Sequence, residues 1–317
     1  MKKVVITYPI SEEPLEILKQ NFNVIINESG MQWNRETLIE YSKDADAVLC
    51  MFYDKFDAEL LSQCPKLKIV ATYSVGFNNI DVDYAKSKGI YVSNTPDVLT
   101  NATADLAMGL MLSVARLIPT GNTLIRNGGF KSWTPTWFLG LDLAYKTIGV
   151  VGMGRIGQNF AKKASAFNMK VVYHSNTKKD EFENETGAQW VTKETLIKES
   201  DFISLHVPLT KATHHMFGKE EFKAMKKTAV IINTSRGPVI DEEALADALI
   251  NGDIYGAGLD VFEEEPKVNS KLIDCDNVVL TPHIGSSTFN TRFRMAEINA
   301  QSIYEALMGE KPQVCVY

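Results

Sequence analysis

The sequence predicts an α/β protein built from two doubly wound parallel-sheet domains. Three observations carry that expectation. Short apolar runs alternate with helical segments from Lys3 to Val92. A second such alternation starts at Lys146 and runs to about residue 285. The first strand of that second series runs straight into spaced glycines, Gly152-x-Gly154-x-x-Gly157. Alternating strand and helix patterns imply a parallel sheet covered on both faces, and 317 residues are enough for two domains of ordinary size.

In the first series, strands are expected at Lys3–Tyr8, Asn23–Ile26, Ala47–Met51, Leu67–Thr72 and Ile90–Val92. Helices are expected near Glu12–Gln20, Glu36–Lys43, Ala58–Gln63 and Val82–Lys88. In the second, strands are expected at Thr147–Val151, Lys170–Tyr173, Phe202–Leu205, Ala229–Ile232, Gly256–Leu259 and Val278–Leu280. The helices between them fall near Ile156–Ala166, Lys193–Lys198, Lys219–Ala224 and Glu242–Asn251. Two longer helical stretches, Asn101–Leu117 and Thr291–Met308, lie outside both series. Helices there would carry the chain out of the first domain and return its end to it.

The glycine stretch is the most informative segment. Ile148 to Val151 reads as a buried parallel strand. Gly152 would allow a tight turn, Gly154 would let the backbone approach a pyrophosphate, and Gly157 would let helix and strand pack closely. The N–H groups and positive dipole end of the following helix would meet the phosphates. A loop with three chance glycines is the bland alternative, but strand, turn and helix start are the parts of a dinucleotide-binding βαβ unit.

Composition narrows the function classes. The content is 45% hydrophobic and 23% charged, as in globular proteins, and the net charge of −6 with no basic block argues against nucleic acid. Cys50, Cys64, Cys275 and Cys315 show no paired spacing, so they read as reduced thiols and no metal site is expected. The apolar run after Met1 is too short for a signal peptide, and Leu106–Val114 is far short of a membrane span. A cytoplasmic protein without membrane partners is the expectation.

Side chains suited to chemistry cluster after strands. The segment Ser175, Asn176, Thr177, Lys178 and Lys179 follows the second strand of the nucleotide domain. That position reads the ribose, and NAD sites usually carry Asp or Glu there. Here no carboxylate precedes Asp180, and Ser, Asn and Lys would donate to a 2′-phosphate. NADP is therefore favoured, with NAD possible. Arg236, the run Glu263–Glu265 and His283 each follow a different strand. Singly they read as a turn residue, a solvated acidic run and a loop histidine. Together, at the strand edge where open α/β sheets bind ligands, they suggest an active site.

Four blocks, Gly152–Gly157, Asn233-Thr-Ser-Arg-Gly237, Leu259-Asp-Val-Phe-Glu-Glu-Glu-Pro266 and Thr281-Pro-His-Ile-Gly285, resemble the D-isomer-specific 2-hydroxyacid dehydrogenases nearly end to end. Tyr73-Ser-Val-Gly76, Asn101-Ala-Thr-Ala-Asp105 and Asn127-Gly-Gly-Phe-Lys-Ser-Trp133 look most like the glyoxylate/hydroxypyruvate reductase branch. The resemblance implies a Rossmann nucleotide domain, residues 100–286, inserted into a flavodoxin-like substrate domain, residues 1–99 and 287–317. It implies reversible reduction of a small 2-oxo acid to the D-2-hydroxy acid, with substrate held in a cleft between the domains.

It further implies Arg236, Glu265 and His283 as the catalytic set. The forked guanidinium of Arg236 would hold carboxylate and carbonyl. His283 would give a proton to the carbonyl oxygen, and Glu265 would orient the ring and favour its charged form. Backbone N–H groups of Ser74, Val75 and Gly76 would hold the substrate carboxylate. On the cofactor side the resemblance places Arg155, Ile156, Thr103, Thr234 and Asp260, the last two at the carboxamide, with His206, Pro208 and Thr213 beside the adenosine half. Met51, Phe52 and Tyr53 would wall the pocket or belong to the core. Trp137 would reach across a homodimer or simply line its interface. Two alternatives stay open: a dinucleotide-sensing, corepressor-like protein, and a phosphite- or formate-type dehydrogenase. Against the latter, formate-oxidising relatives usually pair the histidine with glutamine rather than glutamate.

Overall fold

The computed structural model describes all 317 residues. They divide into two compact units, Met1–Leu99 with Ser286–Tyr317, and Thr100–Gly285.

In the first unit five apolar runs form one sheet: β1 (Lys3–Ile6), β2 (Asn23–Ile26), β3 (Ala47–Cys50), β4 (Ile69–Thr72) and β5 (Tyr91–Ser93). All pairs are parallel, in the order β2-β1-β3-β4-β5. Every residue of β3 and β4 is buried, as expected for inner strands covered on both faces. The connections are α1 (Glu16–Asn21), preceded by a 3-10 turn at Glu13–Leu15, α2 (Arg35–Ser42), α3 (Ala58–Ser62) and α4 (Val82–Ser87). Asn34, Asp57 and Asp81 cap α2, α3 and α4, each accepting the N–H three residues on. Each such cap contributes about 1 kcal/mol. The C-terminal helix, Phe289–Met308, packs on β3, β4 and β5 and on α1.

The second unit holds seven parallel strands: β6 (Thr147–Val151), β7 (Lys170–His174), β8 (Gln189–Trp190), β9 (Phe202–Leu205), β10 (Val230–Asn233), β11 (Gly256–Leu259) and β12 (Val278–Leu280). Their order is β12-β11-β10-β9-β6-β7-β8. From β6 the chain winds outward through β7 and β8. It then returns to β9, on the other side of β6, and winds the opposite way. The crevice at the carboxyl ends of β6 and β9 is thus the topological switch point, where such sheets bind ligands. The helices are α5 (Thr100–Ala115), α6 (Ile118–Arg126), α7 (Arg155–Ala166), α8 (Asp180–Thr186), α9 (Lys193–Glu199), α10 (Lys219–Ala224), α11 (Glu242–Ile250) and α12 (Ser270–Ile273).

Strand alternation sorts the core into two faces. Ile148, Val150, Phe202, Val230 and Ile232 pack with Ala104, Met108 and Met111 of α5 and Phe160 of α7. Val151, Ile203, Leu205 and Ile231 point the other way, onto Leu196, Phe222 and Leu245 of α9, α10 and α11. No single helix is long and apolar enough to cross a membrane.

The sequence reading extended the first long helix to Leu117, whereas α5 ends at Ala115. Leu117 adopts a left-handed backbone (φ 54°), and α6 then starts with Pro in its first turn. The short elements α8, α12 and β8 were also not expected. They lack a full turn or two of apolar periodicity, which is the signal that reveals longer elements.

Asp201 ties three strands together at their starts. Its carboxylate accepts the Thr147 N–H at 2.9 Å and meets Lys226 Nζ at 2.8 Å, while its carbonyl accepts from Val230 N–H. Burial raises its pKa, but Lys226 and the Thr147 N–H outweigh this and hold it below the usual range. A depressed carboxylate stabilises the fold above its unfolded value, about pH 4, and loses that contribution as pH falls through the folded value. Asp201→Asn should therefore lower Tm at pH 7. In a thermal-melt series the gap to wild type should shrink steadily below about pH 4; a gap independent of pH would contradict the assignment.

Candidate active site

The turn from β6 into α7 contains three glycines that differ physically. Gly152 has φ +94°, and a Cβ there would lie 2.5 Å from the His206 carbonyl oxygen. A Cβ on Gly157 would lie 2.0 Å from the Gly152 oxygen. Both are required by packing. Gly154 has ordinary extended backbone, and a Cβ there would meet nothing within 4 Å. The packing of the protein does not need this glycine, and the absent side chain leaves the start of α7 open to the close approach of a phosphate. Arg155 and Ile156 form the first turn of that helix.

At the end of β7 the loop is tied down from several sides. Ser175 Oγ donates to the Thr177 carbonyl at 2.7 Å, Trp190 Nε1 donates to the Ser175 carbonyl at 3.0 Å, and Lys179 N–H donates to Tyr173 Oη at 2.7 Å. Lys178, expected to face a phosphate, makes ion pairs with Asp180 at 3.2 Å and Glu183 at 3.0 Å. Its pKa is raised by the Glu183 and Asp180 carboxylates. Asn176 and Thr177 are exposed.

After β9, the His206 ring turns inward. Nε2 meets Ser204 Oγ at 2.9 Å, and the ring lies 5.0 Å from that of Phe160. Burial pushes its pKa down to about 3, so the ring is neutral at pH 7. Its backbone lines the glycine turn, donating N–H to Val151 and crowding Gly152. Thr213 Oγ donates to the Pro208 carbonyl at 2.6 Å and accepts the Thr210 N–H at 2.8 Å, closing the loop on itself.

The ends of β10, β11 and β12 carry the residues that the sequence singled out as a catalytic set. Asn233, the last residue of β10, cinches the next turn: its Oδ1 accepts from Ser235 N–H and Oγ, and its Nδ2 donates to the Arg236 carbonyl at 2.9 Å. Arg236 donates through Nη1 to the Ser235 carbonyl. Burial pushes the guanidinium down from its ordinary value, and the nearby Glu265 charge opposes that. Gly237 lies against the next loop so tightly that a Cβ would fall 1.9 Å from the Phe262 carbonyl. The Thr234 hydroxyl is buried with no protein partner.

Asp260, following β11, is 1% exposed. Its Oδ1 accepts from Thr281 Oγ at 2.6 Å and Ile284 N–H at 2.8 Å, and its Oδ2 accepts from Gly285 N–H at 2.8 Å. Burial pushes its pKa up against these bonds. Thr103 on α5 completes the arrangement by donating to the Gly285 carbonyl at 3.1 Å. Asp260 and Thr103, which the resemblance placed on the cofactor side, thus have these side-chain bonds directed at the 281–285 turn. That turn presents His283 in a left-handed backbone, φ +52°. His283 Nδ1 meets Glu265 Oε2 at 2.7 Å, and Glu265 Oε1 accepts the Phe262 N–H at 3.0 Å.

Within the first unit, Tyr73 N–H donates to Cys50 O, and Thr95 N–H to Ser74 O. Ser74 Oγ donates to Gly76 O and meets Thr72 Oγ, which tightens the turn that carries the Ser74, Val75 and Gly76 N–H groups. Successive backbone N–H groups in such a turn suit an anion. The adjoining loop is tethered by Asp54, which accepts the Met51 N–H, and by Asn79, which donates to the Met51 and Asp54 carbonyls. It carries Phe52 against Tyr53. Met51 is buried. In the second unit Trp137 stacks on Phe130, and both are exposed.

Residues 108–285 match the family D-isomer specific 2-hydroxyacid dehydrogenase, NAD binding domain. The chain is 49% identical to the glyoxylate reductase of Pyrococcus furiosus, over 99% of this chain and 95% of the relative. It is 50% identical to the glyoxylate reductase of Thermococcus litoralis, over 98% and 95%. The chain belongs to the D-isomer-specific 2-hydroxyacid dehydrogenase family. Its structure is similar to that of an NADPH-dependent glyoxylate/hydroxypyruvate reductase from Sinorhizobium meliloti, solved with NADP and malonate. The TM-score is 0.87, with 31% identity over 99% of this chain and 96% of that one. As a family member it is an NAD(P)-dependent oxidoreductase of 2-oxo and 2-hydroxy acids. The open space at Gly154 and the unpartnered Thr234 hydroxyl fit a nicotinamide dinucleotide along the β6 and β10 ends.

Sequence reasoning did not single out Asn233 or Gly237 as site-shaping residues, or Glu242 at all. Asn233 and Gly237 flank Arg236 in a quoted block; Asn233 binds within its own turn, whereas the contact of Gly237 reaches another loop and carries no local signal. Glu242 read only as a helix start.

The two kinds of glycine make a sharp test. Gly157→Ala should destabilise the apoprotein by about 1–3 kcal/mol through overpacking. Gly154→Ala should leave apoprotein Tm nearly unchanged while weakening dinucleotide binding, measured by fluorescence titration, about tenfold or more. Equal affinity in Gly154→Ala and wild type would remove that residue from the phosphate site.

Proposed function

We propose that this protein reduces glyoxylate, and with it hydroxypyruvate, to the D-2-hydroxy acid, with NADPH favoured over NADH as the donor. The observation that carries the reading is the Glu265–His283 pair, 2.7 Å apart, with the half-buried Arg236 guanidinium near enough to feel the same carboxylate's charge. The names of the relatives support the substrate class.

The nicotinamide, when bound, supplies the hydride. The protein's own residues do the rest. Arg236 carries a partly desolvated charge, so the carboxylate of a 2-oxo acid gains a planar, forked partner there. Glu265 accepts from His283 Nδ1, which leaves Nε2 as the atom that protonates the carbonyl oxygen as the neighbouring carbon is reduced. In the reverse direction neutral His283 takes the hydroxyl proton. The ring is held through Nδ1 by Glu265, on a turn that Asp260 fixes by accepting the Ile284 and Gly285 N–H groups.

The donor preference rests on Ser175, Asn176 and Thr177, none of which repels a 2′-phosphate. Lys178 contributes only after exchanging its bonds to Asp180 and Glu183.

Two outcomes are expected. His283→Ala should lower kcat for glyoxylate by about 10²–10⁴ while the dinucleotide Kd stays near wild type. A variant keeping most of its turnover would refute the acid–base role. Ser175→Asp should move the ratio of kcat/KM values toward NADH by disfavouring the 2′-phosphate. An unaltered ratio would exclude the loop from donor choice.

A further inference from the structure

The loop that carries Glu265 is held by a second carboxylate that the reaction itself does not use. Glu242 opens α11 and is 6% exposed. Its Oε1 accepts the Glu263 N–H at 2.6 Å, and its own N–H donates to Glu263 Oε2 at 3.3 Å. The two glutamates therefore clasp each other through side chain and backbone in both directions. Glu263 Oε1 is also bonded to His215 Nε2, on a segment stitched to residues 238–241 through His215 N–H to Pro238 O and Phe217 N–H to Val239 O. The face of the loop toward Arg236 is closed by Gly237, which touches the Phe262 carbonyl.

Adjacent N–H groups of this loop have different partners. That of Phe262 goes to Glu265 Oε1, and that of Glu263 goes to Glu242 Oε1. Turning the Phe262–Glu263 peptide to lose the second bond would swing the backbone supporting the first. It would thereby move Glu265 Oε2 away from its 2.7 Å contact with His283. Burying a carboxylate beside another is costly. The cost shows in Glu242, whose pKa is pushed up by burial and by Glu263 and held back by the Glu263 and Asn269 backbone N–H groups. A mere helix start needs no such buried acid, because Asp241 already caps α11 by accepting the Ala244 N–H.

We propose that Glu242 is a positioning residue for the acid–base pair: by holding the Glu263 backbone it sets where the Glu265 carboxylate meets His283. This rests on the acid–base reading of His283. What the role demands is an acceptor oxygen at full side-chain reach, with charge secondary.

The test compares Glu242→Gln, Glu242→Asp and Glu242→Ala in the full chain. It measures kcat and KM for glyoxylate, dinucleotide Kd and Tm. Glutamine keeps the reach and the acceptor and should retain at least about half of kcat. Aspartate keeps the charge but falls one methylene short, and alanine removes the acceptor; both should lose about tenfold or more in kcat with Kd within about twofold. If alanine fails to fold, the contrast between Gln and Asp decides. Wild-type kcat in Asp or Ala, or a loss in Gln as large as in Asp, would overturn the proposal. His283→Ala run in parallel separates the two readings. An inactive His283→Ala beside a fully active Glu242→Ala rejects only the positioning role, whereas an active His283→Ala rejects the acid–base reading beneath it.

Discussion

The arrangement of loops that carries Arg236, Glu265 and His283 depends on one buried carboxylate. Asp260 gathers two N–H groups and a hydroxyl from the turn after β12 onto the end of β11, and its own N–H is held by Asn233 at the end of β10. Three strands that are neighbours in a parallel sheet end in loops that would otherwise diverge. Asp260 draws two of them together, and Gly237, pressed on the Phe262 peptide, binds the third. Arg236, Glu265 and His283 come from these three loops. The site is therefore a product of loop-to-loop hydrogen bonds made at low dielectric, where each is stronger and each unmade one more costly. On the function proposed above, such an arrangement stands before substrate arrives, which is the condition for electrostatic catalysis without reorganisation.

Much of this was legible in the sequence because its signals are local. A parallel strand covered on both faces must be apolar throughout, and Ile148–Val151, Ala47–Cys50 and Val230–Ile232 are. The glycine triplet announces its turn, and the order of the four blocks made the family recognisable. The Glu265–His283 pair was anticipated from the resemblance, and the structure places the two side chains in contact.

What was not legible depends on contacts between distant segments. The inward turn of His206 toward Ser204 and Phe160 follows from packing of α7 against the sheet, and nothing in the neighbouring residues announces it. The side-chain bonds of Asp260, Thr103 and Thr213 within the fold, and the pairing of Lys178 with Glu183, likewise need coordinates. A lysine in a loop reads as available until its carboxylate partner, one helical turn further on, is seen. The clasp between Glu242 and Glu263 is the extreme case, since like-charged residues 21 apart give no reason to expect contact.

The loop after β7 shows a further consequence of Trp190. The indole N–H on the carbonyl of Ser175, and the Tyr173 hydroxyl on the N–H of Lys179, hold both ends of the segment from outside it. Its main chain is thus a frame whose shape owes little to the side chains mounted on residues 176 and 177. On the donor reading proposed above, a change of coenzyme would then need only new groups hung on a standing scaffold, with little ordering entropy to overcome.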